Sequence, residues 1–365
     1  MNYPQLDRSR LRMEPLATRE NRITIEEDHV DPGTPPEPVS GRAADLLGEL
    51  FARIRAARKA GRPVIFAFGA HTIKNGLGPV LIRLLEEGWI THLATNGAAI
   101  IHDWEFSFLG QSSEHVGANV TQGRFGNWEE TGRWINLAIN VGAYEGKGYG
   151  EAVGLLIEND GLNIPSVATL RQQVGDLLTT QPEQAAAAAD LLSIVERFRL
   201  PAGWLEIRHP WKRFSAQAAA LRRGVPFTGH VMIGHDIIYN HPMNHGASLG
   251  RAAQRDFLRF ANSVSNLEGG VYLSVGSAIM SPMIFEKSLS MSQNLAIQEG
   301  RRIENHYIFV VDLAASTWDW TRGEPPETDA AYYQRYNKTF SRMGGTLRYL
   351  QLDNRELLLH LVHGL

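Results

Sequence analysis

Val271-Tyr272-Leu273-Ser274-Val275-Gly276-Ser277-Ala278-Ile279-Met280-Ser281-Pro282 reads as a strand, a turn of small residues and the start of a helix. Val271 to Val275 is short, β-branched and apolar, the pattern of a buried strand. Gly276 and Ser277 turn the chain. Ser281-Pro282 offers an N-cap followed by proline at the first helical position. Ile284, Ser288, Met291 and Leu295 keep helical spacing behind it. A unit of this kind can cradle an anion such as a pyrophosphate on the N–H groups of the helix start.

The same alternation recurs on both sides. Pro63 to Gly69 is an apolar run of the parallel-sheet type. The polar loop His71 to Gly76, a helix from Pro79 to Glu87 and a strand from Thr91 to Thr95 follow, the last ending in Asn96-Gly97-Ala98-Ala99. Helical patterning covers Trp128 to Val141, Tyr149 to Ile157, Val167 to Leu177, Pro182 to Phe198 and Ala252 to Val264. Strand sequence returns at Val225 to Thr228, His306 to Leu313 and Thr346 to Leu350. Strands alternating with helices predict an α/β fold, a doubly wound, mostly parallel, Rossmann-like sheet with helices on both faces. Residues 41–365 read as a single domain. Residues 1–40 end in Asp31-Pro32-Gly33-Thr34-Pro35-Pro36-Glu37-Pro38, which no helix or central strand accepts. They read as an extended arm reaching a neighbouring subunit or as a loosely ordered tail.

Charged residues make up 21% of the 365 and the net charge is −3, so no nucleic-acid footprint is expected. The absence of cysteine excludes disulfides, thiolate zinc sites and cysteine nucleophiles. No apolar run approaches the roughly 18 residues of a membrane helix, and no signal-type core opens the chain. These features predict a soluble, cytoplasmic protein with no membrane partner.

Four constellations could carry chemistry. His230, His235, His241 and His245 fall within sixteen residues, with Asp236 beside them, and histidine with carboxylate suits a divalent metal. Pro242 interrupts the one pair at helical spacing, which favours loop histidines lining a pocket. His102-Asp103 follows the turn after the second strand and could position a substrate or move a proton. Asp312, Ala314, Trp318, Asp319 and Trp320 cluster after an apolar strand, and aromatics around a carboxylate can box a cationic amine. Plain packing is the competing explanation for the tryptophans. Lys338 stands among Tyr332, Tyr333 and Tyr336, where desolvation could lower its pKa enough for imine formation.

Taken together and in order, these stretches resemble the deoxyhypusine synthase family over roughly residues 63–365. Gly69-Ala70-His71-Thr72-Ile73-Lys74-Asn75-Gly76 stands where the family has its Gly-x-Thr-Ser-Asn loop, and Thr95-Asn96-Gly97-Ala98-Ala99 stands for Thr-Thr-Ala-Gly-Gly. His115-Val116-Gly117-Ala118-Asn119 is similar to its Arg-Ile-Gly-Asn stretch, Gly276 falls on its glycine-rich turn, and Lys338 falls at its imine-forming lysine. The resemblance implies an NAD-dependent homotetramer that transfers an aminobutyl-type group from a small amine through a lysine imine. It assigns Thr72, Asn75, Thr95, Asn96, Gly97, Gly276, Ser277, Asp312 and Ala314 to NAD. Lys338 becomes the nucleophile, and His102, Asp103, His235, Asp236, Trp318 and Asp319 face the substrate. No metal is implied.

The chain departs from that family at several places. Ile101 and His102 replace paired glutamates, Ile233-Gly234-His235 replaces Thr-Asp-Gly, and Met280 to Phe285 replaces a polar substrate-reading stretch. These changes point to a substrate other than spermidine. Two other readings stay open at this point. One is a metal-dependent hydrolase or lyase on the His230–His245 loop, the other a non-catalytic nucleotide-binding protein of the same fold.

Overall fold

The computed structural model describes residues 3–365. Internal contacts divide the chain into two compact units, each assembled from three segments. One comprises the residues up to Glu27, Ile100–Ala218 and Val231–Arg255; the other comprises Asp28–Ala99, Ala219–His230 and Asp256–Leu365.

The second unit is a six-stranded sheet in which every neighbouring pair is parallel. In chain order its strands are β1 (Val64–Phe68), β2 (His92–Asn96), β3 (Phe227–His230), β4 (Val271–Val275), β5 (Tyr307–Asp312) and β6 (Thr346–Gln351). They lie side by side as β3-β2-β1-β4-β5-β6, the order of a Rossmann sheet built from two mononucleotide-binding halves. β1 and β4 are buried along their whole length. That explains their uninterrupted apolar character, since parallel strands are covered on both faces. On one face Phe260, Tyr272, Phe285 and Phe340 form an aromatic core, with Tyr272 and Phe285 stacked 4.3 Å apart. Each such buried side chain contributes about 1.5–3 kcal/mol.

The helix after β4 runs Met280–Gln298, and its start corrects the expected cap. Ser281 does not cap it, because its side chain points inward to the Tyr272 hydroxyl at 2.8 Å. Ser277 supplies the acceptor instead, receiving the Ser281 N–H at 3.2 Å.

The first unit is mainly helical, with helices Glu129–Tyr144, Tyr149–Asn159, Val167–Leu177 and Pro182–Phe198. The N-terminal residues belong to it. Asn21–Thr24 pairs antiparallel with Gln111–Glu114, and Leu16 is fully buried. Arg19 makes a bidentate pair with Glu105 at 2.8 and 2.6 Å, both side chains out of solvent. Ser112 and Thr131 donate further bonds to the same carboxylate, each from its hydroxyl. Burial alone would raise the Glu105 pKa; the Arg19 guanidinium, with His102 and the Ser112 hydroxyl, outweighs it and holds the carboxyl below its ordinary range. Among the described residues, no helix is long and apolar enough to cross a membrane.

Candidate functional site

From β1 the sheet grows outward to β2 and β3 on one side and to β4, β5 and β6 on the other. The β1–β4 boundary is therefore the topological switch point, where a ligand crevice opens outside the carboxyl ends of the strands. Two glycines stand at that boundary. Gly69 follows β1 and donates its N–H to Val275 O at 3.1 Å; Gly276 follows β4 and donates to Val311 O at 2.9 Å. A β-carbon on Gly69 would meet the Gly276 carbonyl oxygen at 2.1 Å. Gly276 itself has φ +55°, and a β-carbon there would meet the Asn354 amide at 2.8 Å. Asn354 in turn donates to Thr72 Oγ1 at 3.3 Å. Thr72, Gly276 and Ser277 thus share one end of the sheet, with Asn354 joining them from the last helix. Sequence reasoning missed Asn354, because nothing in an asparagine beside Asp353 signals a contact with residue 72.

Other expected ligand residues carry internal tasks at the same edge. Thr95 is fully buried and donates its hydroxyl to Phe68 O at 2.7 Å, tying β2 to β1. Asn96 Oδ1 accepts from Ala99 N at 3.0 Å, bracing the first turn of the helix that begins at Gly97. Asn75 ends the short Ala70–Lys74 helix. Asp312, at the end of β5, accepts the Ala314 N–H on Oδ1 at 3.2 Å, and Ala314 O accepts from the Tyr349 hydroxyl. Ile279 and Leu313, just past β4 and β5, are 60% and 66% exposed. Apolar side chains left open at the ends of neighbouring strands suit the ring faces of a ligand.

Lys338 is held as an ammonium, which corrects the imine expectation. Its nitrogen lies 3.3 Å from the centre of the Tyr332 ring and 3.3 Å from Glu324 Oε1, with the side chain only 17% exposed. Tyr332 first, then Glu324, raise its pKa against the effect of burial. Desolvation was foreseeable from the tyrosines; that Tyr332 itself would favour the charge, joined by a carboxylate fourteen positions earlier, was not. The expected amine box is also differently built. Arg322 lies over Trp318 at 5.2 Å, Trp320 is buried with Nε1 bonded to Ser316, and Asp319 caps Thr321 N. Trp318 and Asp319 do line one cavity of about 240 Å³ beside β6.

The remaining residues named from sequence, apart from His230, lie in the first unit. Asp103 is buried and accepts four bonds, from Ser215 Oγ, Ala216 N, Gln217 N and Gln217 Nε2, so it anchors the start of a helix. His102 meets Ser112 Oγ at 2.7 Å. His235 is exposed, and burial raises the neighbouring Asp236 to about 6. The histidines of this stretch do not converge. His241 contacts Glu129 and His245 contacts Ser248, while His230 belongs to the other unit. Among the described residues, no three His, Asp or Glu side chains are placed to hold a metal.

His230 joins a buried chain that sequence spacing did not reveal. Thr228 Oγ1 touches His230 Nε2 at 3.0 Å and His92 Nε2 at 2.9 Å, and His92 Nδ1 meets Ser263 Oγ at 2.8 Å. Burial pulls both histidine pKa values to about 3, so both rings are neutral.

No protein-family model matches the sequence, and no curated protein does. Several solved structures are similar in outline. ArgZ, an arginine dihydrolase from the ornithine-ammonia cycle in cyanobacteria, matches with 12% identity and a TM-score of 0.40, over 89% of this chain and 33% of that one. AgrE in a ternary complex with ornithine and NAD+ matches with 14% identity and a TM-score of 0.42, over 90% of this chain and 34% of that one. A conserved putative LOR/SDH protein from Methanococcus maripaludis S2 matches with 12% identity and a TM-score of 0.42, over 90% and 72%. The chain spans about a third of the length of the ArgZ and AgrE chains. The deoxyhypusine synthase assignment is corrected accordingly. No family model supports it, these similar structures carry other names, and the lysine meant to form the imine is kept charged. The aminobutyl transfer drawn from that assignment falls with it. The fold itself rests on the strand order.

Proposed function

We propose that the chain binds a nicotinamide dinucleotide of the NAD type across the carboxyl edge of its sheet and works with it on a small molecule. The close approach of Gly69 to Gly276 at the β1–β4 switch point is the observation that carries this reading. Glycine at both positions lets the two strand ends meet at the switch point; their own N–H groups are bonded within the sheet, so a pyrophosphate would lie on the N–H groups of the turn beyond Gly276. The turn Gly276-Ser277, leading into the Met280–Gln298 helix, would hold the phosphates. Asp312, with Oδ1 engaged by Ala314 N, keeps Oδ2 for a ribose hydroxyl. Ile279 and Leu313 would cover ring faces. When bound, such a cofactor supplies hydride transfer; these residues bind and orient it.

A fluorescence titration tests the reading. NADH added to the protein should gain emission, and NAD+ should reverse the gain by competition. NADH fluorescence unchanged by the folded protein sinks the proposal.

A further inference from the structure

The cavity beside β6 is lined by two cationic side chains, one carboxylate and three aromatic rings: Arg42, Arg348, Asp319, Trp318, Trp320 and Tyr349. β6 is an edge strand of the sheet, so the cavity opens along an unpaired margin rather than at the β1–β4 crevice. Its charges are not equivalent. Arg348 is held by Glu49, Nε to Oε2 at 2.9 Å and Nη2 to Oε1 at 3.2 Å. Asp319 spends Oδ1 on Thr321 N and Thr321 Oγ1, and these bonds first, then the charges of Arg42 and Arg322, lower its pKa. Arg42 is exposed, and among the described residues its side chain acts on Asp319 only as a nearby charge. It is also the first residue of the Arg42–Lys59 helix, an end where the helix dipole disfavours a cation. Glu49 thus matches Arg348, and Arg42 and Asp319 are the charges of the lining that face the cavity without such a partner. The three rings share the remaining wall with aliphatic side chains such as Leu46 and Leu350 and with polar ones such as Ser316.

We propose that this cavity binds a small organic carboxylate with an aromatic body, its carboxylate on Arg42 and its ring against the tryptophan and tyrosine walls. A guanidinium recognises a carboxylate through charge-assisted, often bidentate, hydrogen bonds. The ring adds offset or edge contacts with Trp318 and Tyr349. The site is separate from the switch point and stands whether or not a dinucleotide binds there.

Phenylacetate, 2-phenylethanol and 2-phenylethylamine share a shape and differ in charge, so saturation-transfer NMR with the full chain can rank them. Phenylacetate should bind most tightly. Arg42→Gln should weaken it about tenfold or more, and Asp319→Asn, which removes the nearby negative charge, should strengthen it. Both variants alter exposed side chains, and circular dichroism verifies their fold. Phenylacetate binding unchanged in Arg42→Gln overturns the proposal. So does 2-phenylethanol or 2-phenylethylamine binding as well as phenylacetate, or no phenylacetate signal with the folded wild-type chain.

Discussion

Gly69 and Gly276, 207 positions apart, approach so closely that a β-carbon on the first would sit 2.1 Å from the carbonyl oxygen of the second. The contact joins the ends of the two central strands where the order of the sheet reverses. Gly69→Ala must therefore move backbone, since no flexible side chain is available to yield. It should destabilise the chain by about 1–3 kcal/mol in urea unfolding. Gly48→Ala provides the contrast. It lies inside the Arg42–Lys59 helix with open space where the β-carbon would go, and should stabilise by about 0.4–1 kcal/mol.

Lys338 should titrate above the ordinary lysine value, because Tyr332 and Glu324 favour its charged form. The linkage follows from that sign. Its contribution to stability is complete below the unfolded-chain pKa and is lost as pH rises through the higher folded value. NMR of reductively methylated lysines, assigned with Lys338→Arg, reads this directly. A Lys338 resonance that titrates near neutrality would restore it as an imine-forming candidate.

His92 and His230 set an acid limit. Burial keeps both near 3 in the folded chain against an ordinary 6.5, so the unfolded chain binds more protons between those values. Stability should fall as pH drops from about 6.5 toward 3, by up to roughly 1.4 kcal/mol per pH unit for each ring. Urea unfolding across that range should show a shallower pH slope in His92→Gln. An identical slope would show that His92 already carries its proton in the folded state.

Arg19 and Glu105 fasten the N-terminal segment within the first unit. Arg19→Met strands a buried carboxylate and should cost about 3–5 kcal/mol, whereas Arg19→Met with Glu105→Leu should cost less. Chemical denaturation of the three chains forms the comparison. A double variant as unstable as the single one would mean that packing of the arginine stem, not its charge, is what matters.

The sheet was legible wherever burial on both faces wrote an apolar run. Residues 64–68, 271–275 and 307–312 could be read as strands, and so could most of the helices, including Val167–Leu177 and Pro182–Phe198. Strand order was not, because β3 returns to pair with β2 only after some 130 residues of intervening chain. For the same reason the division into two units leaves no mark in the linear pattern. Side-chain roles were the least legible. Asp103, read as able to position a substrate or move a proton, is a buried anchor, and its partners Ser215 to Gln217 lie more than a hundred positions away. The first forty residues, read as an arm or a tail, hold the buried Leu16 and Arg19, whose hydrogen-bond partners Glu130 and Glu105 local composition does not name.

Calorimetric titration of NAD+ into the wild-type chain, Ile279→Glu and Asp312→Ala examines the carboxyl-edge site most directly. Saturable binding of one NAD+ per wild-type chain is expected, weakened about tenfold or more in each variant. Binding that is absent from the folded wild-type protein, or equally tight in both variants, would contradict a dinucleotide site at the ends of β4 and β5.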